Sequence, residues 1–451
     1  MRKLILAGLI PLALLLAGCG GGSGSGSGSV LTSTNGTGGG GQAANVVTMT
    51  VESGPTGTND VDTPFVTLTI CAPGSTSNCE QIDHVEVDTG SYGVRILSTA
   101  LTSTLAAALP QEPASTGGSL VECTQFLDGY SWGPVKTADV QVGGETASNV
   151  PIQVIGDPNY EGEIPTSCSS TAGRQENTVG TFGANGIIGV GPFGADCGGG
   201  CDLPVTGGQN PGWYYGCPSG GTSSSDCTQV MVGVDSQVTN PVVLFTATGD
   251  DNGVIIEMPP VPDPDGAATA TGSLVFGIGT ESNNRLGSNV TILTADPNYG
   301  DITTTYNGTS LPNSYFDTGS NGYYFDASAL AQATLPDCPS SSGASGASGW
   351  LCPTTEQTLS LQNQSYNNGT ISDVSINIYN ANTLFTSPAT QGNTAFDDLG
   401  GDTGSQSSYC PSSTTDCYFD FGLPFFFGRD VYIAIAGANT SGGGMGPYFA
   451  Y

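Results

Sequence analysis

The chain has 451 residues, and its 7 Lys and Arg residues face 39 Asp and Glu residues, for a formal net charge of −32 at pH 7. This charge makes nucleic acid and anionic membrane surfaces poor partners, because both would repel it. A single histidine, His84, excludes a histidine-rich metal site.

The N-terminus predicts export and lipid attachment. Two basic residues, an apolar run and a small-residue end, MRKLILAGLIPLALLLAGC, indicate a signal peptide over residues 1–18. The residues before Cys19 resemble a bacterial lipobox, in which this cysteine carries the lipid, although an ordinary signal peptide with a stray cysteine is the alternative. Gly20 favours an outer-membrane anchor, on a face that the sequence does not reveal. The Gly- and Ser-rich stretch over 19–45 predicts a flexible tether.

The rest of the chain predicts an all-β fold. Short apolar or alternating runs are separated by turn residues, as in FVTLTI (65–70), ADVQV (138–142) and GVIIEM (253–258). Only 98–109 and 326–335 predict helices, with Ser98 and Asp326 as their N-caps. The length allows two lobes, which we expect over 46–250 and 251–451. Whether the Cys- and Gly-rich insertion at 194–227 covers a site is left open.

One short sequence occurs in each half. DTGS stands at 88–91, in VEVDTGSYGV, and again at 317–320, in SYFDTGSNGY. Each copy follows an apolar or β-branched run and precedes one of the two predicted helices. A single DTGS is typical of an ordinary β-turn, but two copies in matching contexts favour one functional loop that is used twice.

The cysteines predict disulfide bonds. Of 13 cysteines, 12 remain when Cys19 is set aside, an even number in an exported protein. Proximity in sequence suggests five pairs and leaves a sixth by elimination, although sequence alone does not fix the connectivity. The pairs are Cys71–Cys79, Cys197–Cys201, Cys217–Cys227, Cys338–Cys352, Cys410–Cys417 and, by elimination, Cys123–Cys168.

Exclusion leaves carboxylates as the reactive groups. His84 lies in an alternating strand run, which favours a structural role, and no nucleophile elbow, Walker motif or dinucleotide fingerprint is present. Two neighbouring Asp side chains cannot both ionise, so one holds a proton while the other acts as a base toward water. Such chemistry needs no metal and no cofactor, and we expect neither.

The order of motifs resembles that of pepsin-like aspartic peptidases, from about residue 60 to the end. In that family each lobe carries a hydrophobic-Asp-Thr-Gly-Ser/Thr loop and a later hydrophobic-hydrophobic-Gly strand behind it. Here the first DTGS is followed by NGIIGVG (185–191), and the second by LPFFFGRDVYIAI (423–435). The segment 125–156 is similar to the family's flap hairpin. The resemblance implies a bilobal all-β fold of two related β-barrel-like lobes with a cleft between them.

The resemblance assigns roles to individual residues. Asp88 and Asp317 would be the catalytic pair that shares one proton. The supporting residues would be threonines that interlock the loops, serines that bond the carboxylates and glycines that allow close approach: Thr89, Thr318, Ser91, Ser320, Gly90, Gly319, Gly189 and Gly428.

The flap departs from the family pattern. Phe126 aligns with the family's flap tyrosine and has no hydroxyl, so we expect Tyr130 or Trp132 to take over its packing. Asp128 and Gly129 complete the predicted substrate-binding tip. Arg429, directly after the second glycine motif, is an additional departure, since it would bring a cation near the support of the catalytic pair.

These features predict a lipid-anchored, extracytoplasmic aspartic endopeptidase that acts on polypeptides as a monomer and is favoured by acidic pH. One alternative is a catalytically inactive surface lipoprotein of the same fold that binds peptide or glycan. Another is a structural β-rich envelope protein whose DTGS turns are coincidental. The last alternative predicts that Asp88 and Asp317 lie far apart.

Overall fold

The structure is a computed structural model that describes residues 43–126, 129–170, 173–218, 226–331, 334–339, 349–403 and 417–451. The predicted signal peptide, Cys19 and the tether as far as residue 42 lie outside the described residues. No helix in the described ranges is long and apolar enough to cross a membrane.

Strands make up most of the described chain. The strands up to residue 257 are β1 (Val46–Val51), β2 (Pro64–Cys71), β3 (Cys79–Asp88), β4 (Tyr92–Leu97), β5 (Ser119–Gln125), β6 (Gly129–Val142), β7 (Glu145–Ile155), β8 (Arg174–Gln175), β9 (Gly186–Val190), β10 (Tyr214–Cys217), β11 (Thr228–Gln229) and β12 (Gly253–Glu257). The later strands are β13 (Ala270–Phe276), β14 (Ile292–Thr294), β15 (Ile302–Tyr306), β16 (Thr309–Phe316), β17 (Tyr323–Phe325), β18 (Gln357–Gln364), β19 (Ile371–Ile378), β20 (Gly400–Asp402), β21 (Asp420–Phe421), β22 (Asp430–Ala434), β23 (Asn439–Thr440), β24 (Gly444–Met445) and β25 (Tyr448–Ala450).

The two halves repeat one arrangement of four strands. In the first lobe, β9 pairs in parallel with β3 and antiparallel with β4, and β4 pairs in parallel with β7. In the second lobe, β21 pairs in parallel with β16 and antiparallel with β17, and β17 pairs in parallel with β20. The DTGS loops connect β3 to β4 and β16 to β17. The internal repeat predicted from sequence is therefore present in the strand topology.

A common sheet joins the lobes. β1 pairs with β13 along its whole length and with the start of β2, so the first strand links both parts of the chain. From β13 the sheet continues through β12, β22 and β25 to β14. Strands β15, β16, β18 and β19 form a second sheet with β17, β20 and β21.

Alternation of side chains builds the core. In β3, Ile82, Val85 and Val87 are buried, while Gln81 and Asp83 on either side of Ile82 are exposed. This pattern is expected for a strand with one face in the core and one in solvent. The strand ends at Asp88, directly after the buried Val87, and so delivers a carboxyl group to the edge of the core.

The helices are shorter than predicted. The first predicted helix divides into a 3₁₀ turn, Ser98–Ala100, and helix α1, Ser103–Ala108. Thr102 rather than Ser98 caps α1, because its side chain accepts a hydrogen bond from the Leu105 N–H at 3.3 Å. The other helices are α2 (Thr166–Ser169), α3 (Val179–Phe182), α4 (Ala327–Leu330), within the second predicted helix, and α5 (Ala381–Thr386).

Five disulfide bonds link the predicted partners Cys71–Cys79, Cys123–Cys168, Cys197–Cys201, Cys217–Cys227 and Cys338–Cys352. Cys417 is also disulfide-bonded. Its predicted partner, Cys410, lies outside the described residues. The strands, the repeated topology and a cleft lined by both halves confirm the prediction of a bilobal all-β fold.

Candidate active site

The first DTGS loop leaves the core at the end of β3. Asp88 is the last residue of that strand, and Gly189 on β9 lies opposite it. A Cβ atom at Gly189 would lie 2.5 Å from the backbone nitrogen of Tyr92, so only glycine lets β9 pass this close behind the loop. The predicted support by Gly189 is present in the structure.

Gly422, not Gly428, backs the second loop. It follows β21, and a Cβ atom there would lie 2.1 Å from the carbonyl oxygen of Gly322 and 2.4 Å from that of Ser320. Gly428 lies six residues later, in a turn with φ +75°, and its nearest contact is Pro260. The assignment of Gly428 as a loop support is therefore wrong. The strand that pairs with β16 and the glycine directly after it have the sequence DFG, and FFFG follows in the next turn.

The two loops hold each other through their threonines. The Thr89 hydroxyl donates to the carbonyl oxygen of Phe316 at 3.0 Å and accepts from the Thr318 N–H at 3.0 Å. The Thr318 hydroxyl donates to the carbonyl oxygen of Val87 at 2.6 Å and accepts from the Thr89 N–H at 3.1 Å. Because both threonines are buried, these reciprocal bonds set the spacing of the two loops.

Asp88 and Asp317 meet where the loops cross. Their carboxyl groups hydrogen-bond to each other. The Gly90 N–H donates to Asp88 Oδ1 at 2.7 Å and the Gly319 N–H donates to Asp317 Oδ1 at 2.8 Å. A Cβ atom at Gly90 would lie 2.5 Å from the carboxyl carbon of Asp317, so the loops need glycine here. The alternative in which the two aspartates lie far apart is wrong.

Burial and nearby negative charge favour protonation of this pair. Burial, followed by the charges of Asp88 and Asp420, raises the pKa of Asp317 well above its ordinary range. Two carboxyl groups in contact cannot both ionise at low cost. Asp317 therefore holds a proton to higher pH than an ordinary aspartate does.

The serines of the two loops differ. Ser320 Oγ lies 3.1 Å from Asp317 Oδ2, as the resemblance implied. Ser91 was expected to do the same for Asp88, but its buried hydroxyl makes no hydrogen bond to any described residue. Ser320 Oγ also lies 2.7 Å from Asp420 Oδ2, a contact with no counterpart at Ser91. The expected symmetry is wrong for Ser91.

The pair opens into a long cleft of about 1240 Å³. Its wall in the first lobe includes Tyr92, Phe126 and residues 192–200, and its wall in the second lobe includes residues 297–301 and Asp420. The insertion at 194–227 therefore contributes part of the cleft wall rather than decorating a distant surface. A cleft of this size can hold a peptide segment of several residues.

Only part of the predicted flap lines the cleft. Phe126 does so, and its ring packs edge-on against Phe182 with centroids 5.9 Å apart. The Phe126 N–H donates to the carbonyl oxygen of Gly129, which closes the hairpin end. Asp128 lies outside the described residues. Gly129 is buried beside Glu176, where a Cβ atom would lie 2.5 Å from the Glu176 carboxyl carbon.

Tyr130 and Trp132 do not take over the flap position. Both are buried, 7% and 1% exposed, in an interior cluster with Tyr215 and the Cys123–Cys168 disulfide. They lie two residues apart on β6 and so share one face of the strand, which this cluster covers. Their assignment as substrate-binding residues is therefore wrong.

A buried ion network stands beside the cleft and was missed in the sequence. The Arg95 guanidinium, 0% exposed, contacts Glu122 at 2.8 Å and Asp196 at 2.7 Å. Its Nε donates to the Thr124 hydroxyl at 2.8 Å and its Nη1 to the carbonyl oxygen of Tyr92 at 2.9 Å. Arg95 thereby ties the DTGS side of the lobe to the flap strand β5 and to the insertion. In the sequence, only the position of Arg95 inside the apolar run YGVRIL indicates a buried ion pair.

Arg429 does not bring its positive charge to the cleft that contains Asp88 and Asp317. Its Nη1 donates to the carbonyl oxygen of Phe425 at 2.6 Å, and the guanidinium lies 4.4 Å from the centre of the Phe425 ring. It lines a smaller cavity with Tyr323, Asp263 and Asp397, and it is not part of the cleft wall. Among the described residues, no group of three or more His, Cys, Asp and Glu side chains is arranged to hold a metal ion.

Comparison with known proteins identifies a family. No curated protein matches the sequence. Among solved structures, the chain is similar to an aspartic proteinase from Irpex lacteus, with a TM-score of 0.46, 16% sequence identity, and coverage of 90% of this chain and 96% of that chain. The model of DUF3443, described as a protein of unknown function, matches residues 41–451. The chain belongs to the DUF3443 family.

Proposed function

We propose that this protein is an aspartic endopeptidase, which hydrolyses peptide bonds with the pair Asp88 and Asp317 and an activated water. The observation that carries the proposal is the hydrogen-bonded contact of these two carboxyl groups on interlocked loops within the cleft. A rigid pair of carboxyls that shares one proton supplies a base and an acid without any other reactive group.

The chemistry follows from the shared proton. The ionised carboxyl takes a proton from a water molecule as the water oxygen attacks the peptide carbonyl. The protonated carboxyl gives its proton to the carbonyl oxygen, which becomes a hydroxyl of the tetrahedral intermediate. When the carbon–nitrogen bond breaks, the nitrogen receives the proton that the first carboxyl took from water. A hydroxyl of the intermediate returns its proton to the second carboxyl as the carbonyl group re-forms, so that the pair again holds one proton. The Thr89–Thr318 bonds favour this cycle by keeping both carboxyls in place.

The substrate class is an extended polypeptide. The cleft runs past both carboxyls, and the end of β5 with Phe126 borders it, where the hairpin could pair with the backbone of a bound chain. We further propose that the enzyme works outside the cytoplasm, anchored to the outer membrane through Cys19. The disulfide bonds support an oxidising compartment.

The test is cleavage of an unfolded protein by a form that starts at residue 30, without the predicted signal peptide and lipid site. Activity is measured from about pH 3 to 7 beside Asp88→Asn and Asp317→Asn. We expect an acidic optimum that disappears in both variants. The absence of cleavage by folded, disulfide-bonded protein at every pH would contradict the proposal and would favour the peptide- or glycan-binding alternative.

A further inference from the structure

Asp420 brings a third carboxyl group to the catalytic pair. In the second lobe it pairs with Tyr315, as Ile187 pairs with Glu86 in the first lobe. Because the two pairings correspond residue by residue, Asp420 stands where the first lobe has an apolar isoleucine. Asp420 is 1% exposed and yet borders the cleft. A carboxyl in place of a core isoleucine is costly to bury unless it interacts with other polar groups.

Ser320 connects this carboxyl to the catalytic pair. Its Oγ lies 2.7 Å from Asp420 Oδ2 and 3.1 Å from Asp317 Oδ2, both within hydrogen-bonding distance. A hydroxyl has one hydrogen and can donate to only one of the two oxygens. If Asp420 carries a proton, it donates to Ser320, and Ser320 donates to Asp317. If Asp420 is ionised, the serine hydrogen turns to the closer Asp420, and Asp317 loses that donor.

Among the described residues, the groups around Asp420 add negative charge and no cation. Asp88 and Asp317 face it across the loops, and Tyr315 and Tyr324 lie beside it on the paired strands. The Tyr324 hydroxyl donates to Asn321, and that of Tyr315 bonds Asp420. Burial is the main cause of the raised pKa of Asp420, and its charge in turn raises that of Asp317.

We propose that Asp420 is a positioning residue that raises the pH at which the pair Asp88 and Asp317 loses its shared proton. The inference rests on the proposed function for its effect on turnover. Ionisation of Asp420 withdraws the Ser320 donor from Asp317 and places a further negative charge behind it. Both changes make removal of the shared proton more costly, so the active singly protonated pair persists to higher pH.

The experiment is a pH profile of kcat/KM for full-length protein, purified in detergent, with an unfolded protein as substrate. Asp420→Asn keeps the shape of the side chain, and its amide donates to Ser320, which then donates to Asp317 at every pH. The basic limb of the profile should move to lower pH by about one unit or more, with activity retained at the acid end. Asp420→Ile, which introduces the residue found at the corresponding place in the first lobe, should shift the basic limb in the same direction.

Asp373→Asn, at an exposed position of β19 in the same lobe, is the matched control and should leave the profile unchanged. A basic limb at the wild-type pH in folded Asp420→Asn and Asp420→Ile would overturn the inference. If the wild type cleaves at no pH, the proposed function fails. The inference about Asp420 is then tested separately by infrared titration of the protonated carboxyl groups. The band of the carboxyl that holds the shared proton should disappear at a lower pH in Asp420→Asn than in the wild type, and an unchanged pH would overturn the inference.

Discussion

The protein should become less stable as the pH rises, because the buried carboxyl group of Asp398 must then lose its proton. The residue is 1% exposed, and no other described residue hydrogen-bonds its carboxyl oxygens. Burial, followed by the charges of Asp397, Asp263 and Glu356, raises its pKa from 3.8 to about 8. Between these pH values the folded state holds a proton that the unfolded chain has released. The free energy of unfolding therefore falls across this window as the pH increases.

The size of the effect follows from the pKa values. At about 1.4 kcal/mol per pKa unit, the change from 3.8 to about 8 corresponds to roughly 5 to 6 kcal/mol of unfolding free energy. Asp398→Asn removes the titrating group, so this part of the pH dependence should disappear. The new amide is also buried and costs about 1–3 kcal/mol if it stays unpaired, but this cost is the same at every pH.

The assay is urea unfolding followed by tryptophan fluorescence, with the disulfides intact, at pH 4, 6 and 8. The quantity compared is the difference in unfolding free energy between pH 4 and pH 8. We expect Asp398→Asn to reduce this difference by several kcal/mol, and Asp373→Asn, at its exposed position, to leave it unchanged. An equal difference in wild type and Asp398→Asn would refute the reasoning, because it would mean that Asp398 titrates alike in both states.

Two further variants test the scaffold of the site. Arg95→Met leaves the carboxyls of Glu122 and Asp196 buried without their cation. It should therefore lower the free energy of unfolding, measured in urea at pH 7, by about 3–5 kcal/mol. An unfolding free energy equal to that of the wild type within experimental error would contradict the role of the network. Gly422→Ala should abolish activity and strongly reduce stability, because the new Cβ would lie 2.1 Å from a carbonyl oxygen. Gly428→Ala should cost only about 1 kcal/mol of stability, for its left-handed φ. Similar losses of stability in the two variants, measured by thermal unfolding, would contradict the assignment of Gly422.

The sequence allows the two DTGS loops to be predicted because the residues that build each loop are consecutive. An Asp at the end of a strand, a Thr that bonds across and a Gly that permits close approach are consecutive residues, and the loop occurs twice. The supporting glycine of the second loop could not be chosen in the same way. Two candidate patterns, FDFG and FFFG, lie within ten residues, and only strand pairing separates them. The buried Asp420 in the correct pattern contradicts the rule that a core strand is apolar.

Long-range contacts explain the other errors. The partners of Arg95 lie 27 and 101 residues away in sequence, so a basic residue in an apolar run gave no indication of what neutralises it. Tyr130 and Trp132 pack in a buried cluster with the Cys123–Cys168 disulfide, whose two cysteines are 45 residues apart in sequence. Alternation along a strand predicts that two such residues share a face, but not which face meets the cleft.

The acidic composition and the proposed acidic activity have a common physical basis. With few cations in the chain, Asp398 and Asp420 are buried without a basic partner, and burial raises the pKa of each. A fold that takes up protons when it forms becomes more stable in acid, which is the opposite of a fold held by carboxylate–cation pairs. The same condition, a carboxyl shielded from water and facing other carboxyls, raises the pKa of Asp317. The stability at low pH that we expect and the protonation of Asp317 on which the proposed activity depends would therefore be consequences of one arrangement rather than two separate adaptations.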